Sequence, residues 1–493
     1  MTRTVRVGQG VSAIELFGGF GGTGQGIHRA GAEVVAAANH LPIACDNYAA
    51  NFPTTNVYRA DLVDPDAGDY VDPASLPYAT VLFASPSCKH HSLANSKREY
   101  LHGPRLPMFV DEQEEAAYAT SERSRVSMMA PLRYASKHCP ELVFIENVNE
   151  VVSWGPAGDG STFLWWLKEW KKLGYDYRLL SLNSQFFPPT PQSRDRLYIV
   201  CWRKGNTAPN LDFRPTAYCT SEQCGGVSVQ AVQIWKGDLA RGRLGEPVGK
   251  YQGQYGYRCP TCHQKVVPLA TAAATAIDWS NLGIRIGDRE KPLAANTMDR
   301  IRRALAKFSG HSVVMPVKSV FGSDRVVEEP FCTLTSQQDK SLVAPMPSLI
   351  YLRGGPATGG QRPVSEPTHT VTAGGLHHGL AIPSDTLSWI EQYMSQPIQV
   401  HEQFATITSH SRHALASVST RDVSEVSDAE VENVRFRMLD PDPELRRAMG
   451  FDDDYQLLGT KREITAGLGN AVTPPVATAI AERMFATLSG DME

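Results

Sequence analysis

The chain has no apolar run near the roughly 18 residues that a membrane-crossing helix requires. Its first residues, Met1-Thr2-Arg3-Thr4-Val5-Arg6, lack the hydrophobic stretch of a secretory leader. The cytoplasm is therefore the expected compartment, in which nine cysteines read as thiols or metal ligands rather than disulfides. Net charge is also scarce, at -4 over 493 residues, so the whole chain does not advertise a polyanionic partner. Compositional bias is missing too. With 40 glycines, 33 prolines, 42% hydrophobic and 20% charged residues, the balance is that of a globular protein with many turns, which excludes disorder over most of the length. At about 150 residues per domain, the length allows about three domains.

What is present is an alternation. Short apolar runs at residues 13–17, 33–38, 80–84 and 142–145 are separated by helix-length stretches, and a late strand is expected over 196–202. Runs of this kind read as buried parallel strands, which predicts a doubly wound α/β sheet. A helix is expected over 163–170, with its tryptophans as core packing. Helices are expected again over 443–449, stopping at Gly450, and over 476–488 after Pro474-Pro475.

The middle of the chain differs. Residues 205–310 carry 14 Lys/Arg against 8 Asp/Glu, and residues 311–430 carry 7 against 12. A basic segment in a near-neutral chain points toward nucleic acid, although a solvated face has the same signature. A repeat of 36 to 38 residues places threonines at 297, 335, 372 and 408 in similar surroundings, with Leu305, Leu342, Leu380 and Leu415 following. Alternation around each Thr-x-Thr predicts a short strand and one small β-containing unit per repeat.

Several residue groups suit chemistry. Phe17-Gly18-Gly19-Phe20-Gly21-Gly22 follows the first strand and opens a helix, a turn that lets backbone approach a ligand, but it lacks the Gly-Lys-Ser/Thr of a phosphate loop. Cys88 follows a buried strand beside Lys89, His90 and His91, surroundings that lower a thiol pKa. Glu146-Asn147-Val148 ends another buried strand at the same edge. Arg194 and Arg196 alternate before and on the late strand, so their guanidinium groups share one face. Cys219-x4-Cys224 and Cys259-Pro260-Thr261-Cys262 supply two thiol pairs with the spacing of a structural, tetrahedral Zn²⁺ site; four thiolates leave no open position for catalysis.

In this order the glycine loop, Pro86-x-Cys88, Glu146-Asn147-Val148, Gln192-x-Arg194-x-Arg196 and Gly469-Asn470-Ala471-Val472 resemble the DNA (cytosine-5) methyltransferase family, over residues 12–204 and 434–488. The resemblance implies a Rossmann-like, S-adenosylmethionine-dependent domain with a large target-recognition insert. Residues 1–204 and 431–493 would form it, 205–268 a zinc ribbon and 269–430 a repeat-containing recognition region. It also implies Cys88 as nucleophile at cytosine C6, Glu146 at the N3/N4 edge, Arg194 near O2, and Arg196 bracing the loop or a phosphate. For the cofactor it implies Phe17, Gly19, Gly21, Asp61, Asn470 and Val472.

Two departures stand out. Pro86-Ser87-Cys88-Lys89 replaces the common Pro-Pro-Cys-Gln, and Asn39 stands where an acidic residue usually meets the ribose. The implied partner is double-stranded DNA, methylated by a monomeric modification enzyme of a restriction–modification or phage-protection system, with a restriction endonuclease as companion. The competing readings are a cytosine-5 RNA methyltransferase and a DNA-binding protein with secondary catalysis.

Overall fold

The computed structural model describes residues 8–86, 126–237, 246–307 and 422–488, with short stretches between 313 and 381. These fall into two compact units. One holds the described residues up to 271 and from 441 onward; the other holds those from 272 to 440.

The first unit is built on a seven-stranded sheet: β1 (Ser12–Leu16), β2 (Glu33–Asn39), β3 (Asn56–Arg59), β4 (Val81–Ala84), β5 (Leu142–Asn147), β6 (Tyr175–Asn183) and β7 (Asp195–Arg203), in the order β3-β2-β1-β4-β5-β7-β6. Strands β1 to β5 run parallel, and β7 is antiparallel to both β5 and β6. The expected doubly wound sheet is present, closed at one side by an antiparallel pair. Every residue of β4 and β5 is buried, which explains their unbroken apolar character. β3 and β6 escape sequence reading because their residues are partly exposed or polar.

Helices cover both faces. Against one, Trp166 and Trp170 of the helix Ser161–Lys172 pack with Leu82, Val143 and Ile145. Against the other, Ile27 of the helix Gly22–Arg29 and Ile480 and Phe485 of the helix Pro474–Phe485 pack with Val81, Phe83 and Phe144. That last helix begins on its two prolines, where a missing N–H breaks no helical bond. The preceding helix, Lys461–Asn470, starts at a capping box formed by Thr460 and Glu463. Thus the C-terminal segment covers one face of the sheet begun by the first residues.

The second unit contains the helix Ala295–Lys307 and two antiparallel sheets. Ile301, Leu305 and Ala306 of the helix pack against Val431, Val434 and Phe436. Thr297 lies in this helix, not in the strand expected of it. Met298, Ile301 and Leu305 recur at helical spacing, and their burial overrides the local Thr-x-Thr-like pattern. Thr335, Thr372, Thr408 and Leu415 lie outside the described residues.

Two strand triplets of this unit share one plan. Of the strands Val313–Pro316, Arg325–Val326 and Lys340–Ala344, the first lies between the other two. Of the strands Ser348–Tyr351, Gln361–Pro363 and His378–Ala381, the first does so again. The registers agree as well: Val314 pairs with Arg325 and Leu342, and Leu349 with Arg362 and Leu380.

Candidate active site and cysteine cluster

The glycine turn leaves the carboxyl end of β1 with Phe17, Gly19 and Gly21 at φ of +61°, +54° and +77°. The Phe17 N–H donates to the Ala38 carbonyl at 2.8 Å, and the Ala60 N–H to the Asn39 carbonyl at 2.9 Å. These bonds draw the ends of β1, β2 and β3 to one edge. Gly22 admits the C-terminal segment, since a Cβ there would stand 2.0 Å from the Val472 carbonyl oxygen. The Tyr455 hydroxyl donates to the Phe20 carbonyl at 2.6 Å and holds the turn from above.

The residues expected to bind a cofactor therefore converge, with individual differences. Asn39 uses its Oδ1 to accept from the Leu41 N–H at 3.0 Å. The buried Asp61 carboxylate accepts from Val63 and Asp64 N–H groups at 2.8 and 3.1 Å. Val472 is buried, while Asn470 is exposed at its helix end. Sequence reading overlooked Glu15. It is fully buried beneath the turn, accepts from the Tyr48 hydroxyl at 2.6 Å, and has its pKa pushed up to about 8 by burial. Its only sequence signal was an acid inside an apolar run.

A second group lies at the same edge. Glu146 is buried at the end of β5 and pairs with the Arg196 Nε at 3.0 Å. Burial raises its pKa, opposed by the charges of Arg196 and Arg194. The buried Arg194 donates to the Gly469 and Ala471 carbonyls at 3.1 and 3.2 Å. Sequence reading set Arg194 toward a base and Arg196 as a brace; here Arg194 ties down the turn flanking Asn470, and Arg196 meets Glu146. Asn147 donates through Nδ2 to the Pro86 carbonyl at 3.3 Å, anchoring the chain two residues before Cys88. Cys88, Lys89, His90 and His91 themselves lie outside the described residues.

The four paired cysteines come together. Cys219 ends the strand Thr216–Cys219, which pairs with the strand Val227–Gln230; Cys259 follows the strand Tyr255–Arg258, which pairs with the strand Lys265–Val266. Cys224 and Cys262 lie in the two hairpin turns. All four sulfurs lie within 4.8 Å of one another, with Cys219 to Cys262 at 3.4 Å and Cys224 to Cys259 at 3.8 Å. Metal–sulfur bonds of about 2.3 Å in a tetrahedron give sulfur separations of about 3.8 Å. The Ser221 hydroxyl donates to the Cys262 sulfur at 3.2 Å and the Thr261 N–H to the Cys259 sulfur at 3.4 Å; both favour thiolates.

Within the basic segment, Arg285 pairs with Asp288 at 2.5 Å, Arg303 with Asp299 at 2.9 Å, and Arg302 with Asp428. Arg241 and Arg243 lie outside the described residues.

Comparison with known proteins gives a consistent family. The family model of C-5 cytosine-specific DNA methylases matches residues 11–223 and 372–486. Type II methyltransferase M1.HphI of Haemophilus parahaemolyticus is 26% identical over 208 residues, 42% of this chain and 50% of the relative. Type II methyltransferase M.HhaI, assigned to the same organism, is 24% identical, covering 41% of this chain and 53% of the relative. The chain thus spans about half the length of the curated relatives it matches. Among solved structures, a mutant of Spodoptera frugiperda DNMT2 aligns with 96% of this chain and 99% of its own, at 14% identity and a TM-score of 0.47.

Proposed function

Because the chain belongs to the C-5 cytosine-specific DNA methylase family, we propose that it transfers a methyl group from S-adenosylmethionine to C5 of cytosine in double-stranded DNA. The observation that carries this reading is the buried Glu146–Arg196 pair, set at the same sheet edge as the glycine turn and next to the anchored Pro86 that leads to Cys88.

Cytosine C5 is a poor nucleophile until a thiolate adds at C6. Cys88 forms that bond, and the electron pair displaced toward N3 meets Glu146, whose burial favours its protonated form. Arg196 holds the carboxyl in place, and Arg194 secures the Gly469–Ala471 turn. The bound cofactor supplies an electrophilic methyl. Phe17, Gly19, Gly21, Asn39, Asp61, Asn470 and Val472 are the residues that would hold it, Asp61 toward the adenine amine and Asn39 toward the ribose. After transfer, C5 loses its proton and the Cys88 sulfur leaves. The base must first swing out of the duplex, at a few kcal/mol.

The cysteine cluster fits a structural Zn²⁺, since four sulfur donors at tetrahedral separations close the coordination shell. On this reading residues 1–204 and 441–493 carry catalysis, 205–268 form the ribbon, and 269–440 recognise target sequence; the boundary expected at 431 moves to 441 because Val431, Val434 and Phe436 pack on the helix of the second unit. The cellular setting is cytoplasmic DNA modification, in restriction–modification or phage protection.

The test is parallel incubation of duplex DNA and folded RNA with labelled cofactor. Label is expected in DNA cytosine, a 5-fluorocytosine duplex should trap wild-type protein covalently, and Cys88→Ser should abolish transfer while DNA binding persists. Label in RNA alone, or turnover by the serine variant, would overturn the substrate or the nucleophile respectively.

A further inference from the structure

The cysteine ribbon does not stand apart from the sheet. It is bonded to the open edge of β6 and to the two chain segments that carry the Glu146–Arg196 pair. The Leu179 N–H of β6 donates to Glu246 at 2.6 Å, and Gln233 donates to the Ser181 carbonyl at 3.0 Å. The Gly249 N–H reaches the Ser181 hydroxyl at 3.0 Å. An edge strand exposes unpaired backbone groups, and the first two of these bonds satisfy the Leu179 N–H and the Ser181 carbonyl. Phe186, just after β6, stacks edge-on against Tyr251 and Tyr257, with ring centres 4.9 and 5.2 Å apart.

Two further bonds reach the chemistry. Asp195 lies between Arg194 and Arg196. Its carboxylate accepts from the Tyr251 N–H at 2.9 Å and from the Tyr255 hydroxyl at 3.5 Å. Tyr255 opens the strand Tyr255–Arg258, four residues before Cys259. Lys250 pairs with Glu150 at 2.6 Å, and Glu150 stands four residues beyond Glu146, in the 3₁₀ turn Asn149–Ser153 that follows β5. The ribbon therefore grips the strand bearing Arg196 and the segment following Glu146 at the same time.

We infer that the four-cysteine ribbon is a positioning bracket for the Glu146–Arg196 pair, acting through Asp195 and Glu150, so that it governs the rate of the chemical step and not the choice of bases. This inference rests on the proposed methyl transfer for its kinetic consequence alone. Asp195, Lys250 and Tyr255 are positioning residues; Asp195 meets the pair through its backbone carbonyl, which accepts from the Arg196 Nη1 at 2.8 Å.

The test uses the full chain. Asp195→Ala and Lys250→Met are compared with wild type in single-turnover transfer, in affinity for DNA and cofactor, and in the map of methylated sites. A misplacement of reacting groups by about 1 Å costs on the order of 100-fold in rate. The expected result is a ~10–100-fold slower chemical step with affinities and methylated sequence unchanged, and Asp195→Asn, which keeps an oxygen for the Tyr251 N–H, recovering most of the rate. The Lys250 side chain is partly exposed, so Lys250→Met keeps the test decisive if Asp195→Ala does not fold. An unchanged rate, or a loss confined to DNA affinity or sequence choice, overturns the bracket. A second readout does not need activity. In Cys259→Ser protein, hydrogen exchange across residues 194–203 should quicken while β1 and β2 keep their protection; unaltered exchange there also overturns it. If wild type methylates no DNA, the activity reading fails, and the exchange measurement still decides the bracket.

Discussion

Glu15→Gln should remove a pH-dependent loss of stability from the sheet-containing unit. Glu15 is fully buried under the glycine turn, and burial, opposed by the bond from the Tyr48 hydroxyl, raises its pKa from 4.5 to about 8. The folded protein thus retains a proton that the unfolded chain releases once pH exceeds 4.5. For a carboxyl shifted upward, the associated stability is full below the unfolded pKa and falls as pH rises toward the folded one. At about 1.4 kcal/mol per unit, the loss is on the order of 3 kcal/mol between pH 5 and 8. Glutamine has nearly the same shape and still offers an oxygen to the Tyr48 hydroxyl, but it does not titrate. Urea unfolding followed by tryptophan fluorescence suits the measurement, since Trp166 and Trp170 are fully buried in the same unit. The stability of the variant relative to wild type should climb by roughly 3 kcal/mol from pH 5 to pH 8. Parallel profiles, or a gap that widens toward acid, would refute the reasoning.

Three other outcomes are expected. Metal analysis should find about one Zn²⁺ per chain, with substitution of Cys219, Cys224, Cys259 or Cys262 unfolding the ribbon; purified protein without zinc and with four freely titratable thiols would remove that assignment. Gly22→Ala should destabilise the first unit by about 1–3 kcal/mol and weaken cofactor binding, because its Cβ meets the Val472 carbonyl; unchanged thermal unfolding and affinity would contradict the packing argument. Alanine scanning of arginines in residues 269–310, read by mapping methylated sites, should relax single positions of the target at about 1–3 kcal/mol each where a base contact is lost. Arg285, Arg302 and Arg303, already paired with Asp288, Asp428 and Asp299, should matter least, and a methylated sequence indifferent to any change within residues 269–440 would place recognition elsewhere.

The sequence alone determined the features that depend on local pattern. Apolar runs marked β1, β2, β4 and β5, interrupted within β1 by Glu15, because strands covered on both faces tolerate little polar alternation. The glycine turn, the acid at the end of β5 and the two cysteine pairs were legible for the same reason: each is a residue type at a fixed interval. What depends on partners distant in the chain was not legible. Arg194 and Arg196 share one strand face, and nothing local distinguishes the one that meets Glu146 from the one that meets the Gly469 and Ala471 carbonyls. Thr297 became helical because Ile301 and Leu305 found a buried face formed by Val431 and Phe436, more than a hundred residues away. The binding of Asp195 and Glu150 by the ribbon rests on bonds spanning 56 residues in one case and a lone lysine–glutamate pair in the other. Periodicity records which side of an element is buried; only the closed tertiary structure decides which residues it is buried against.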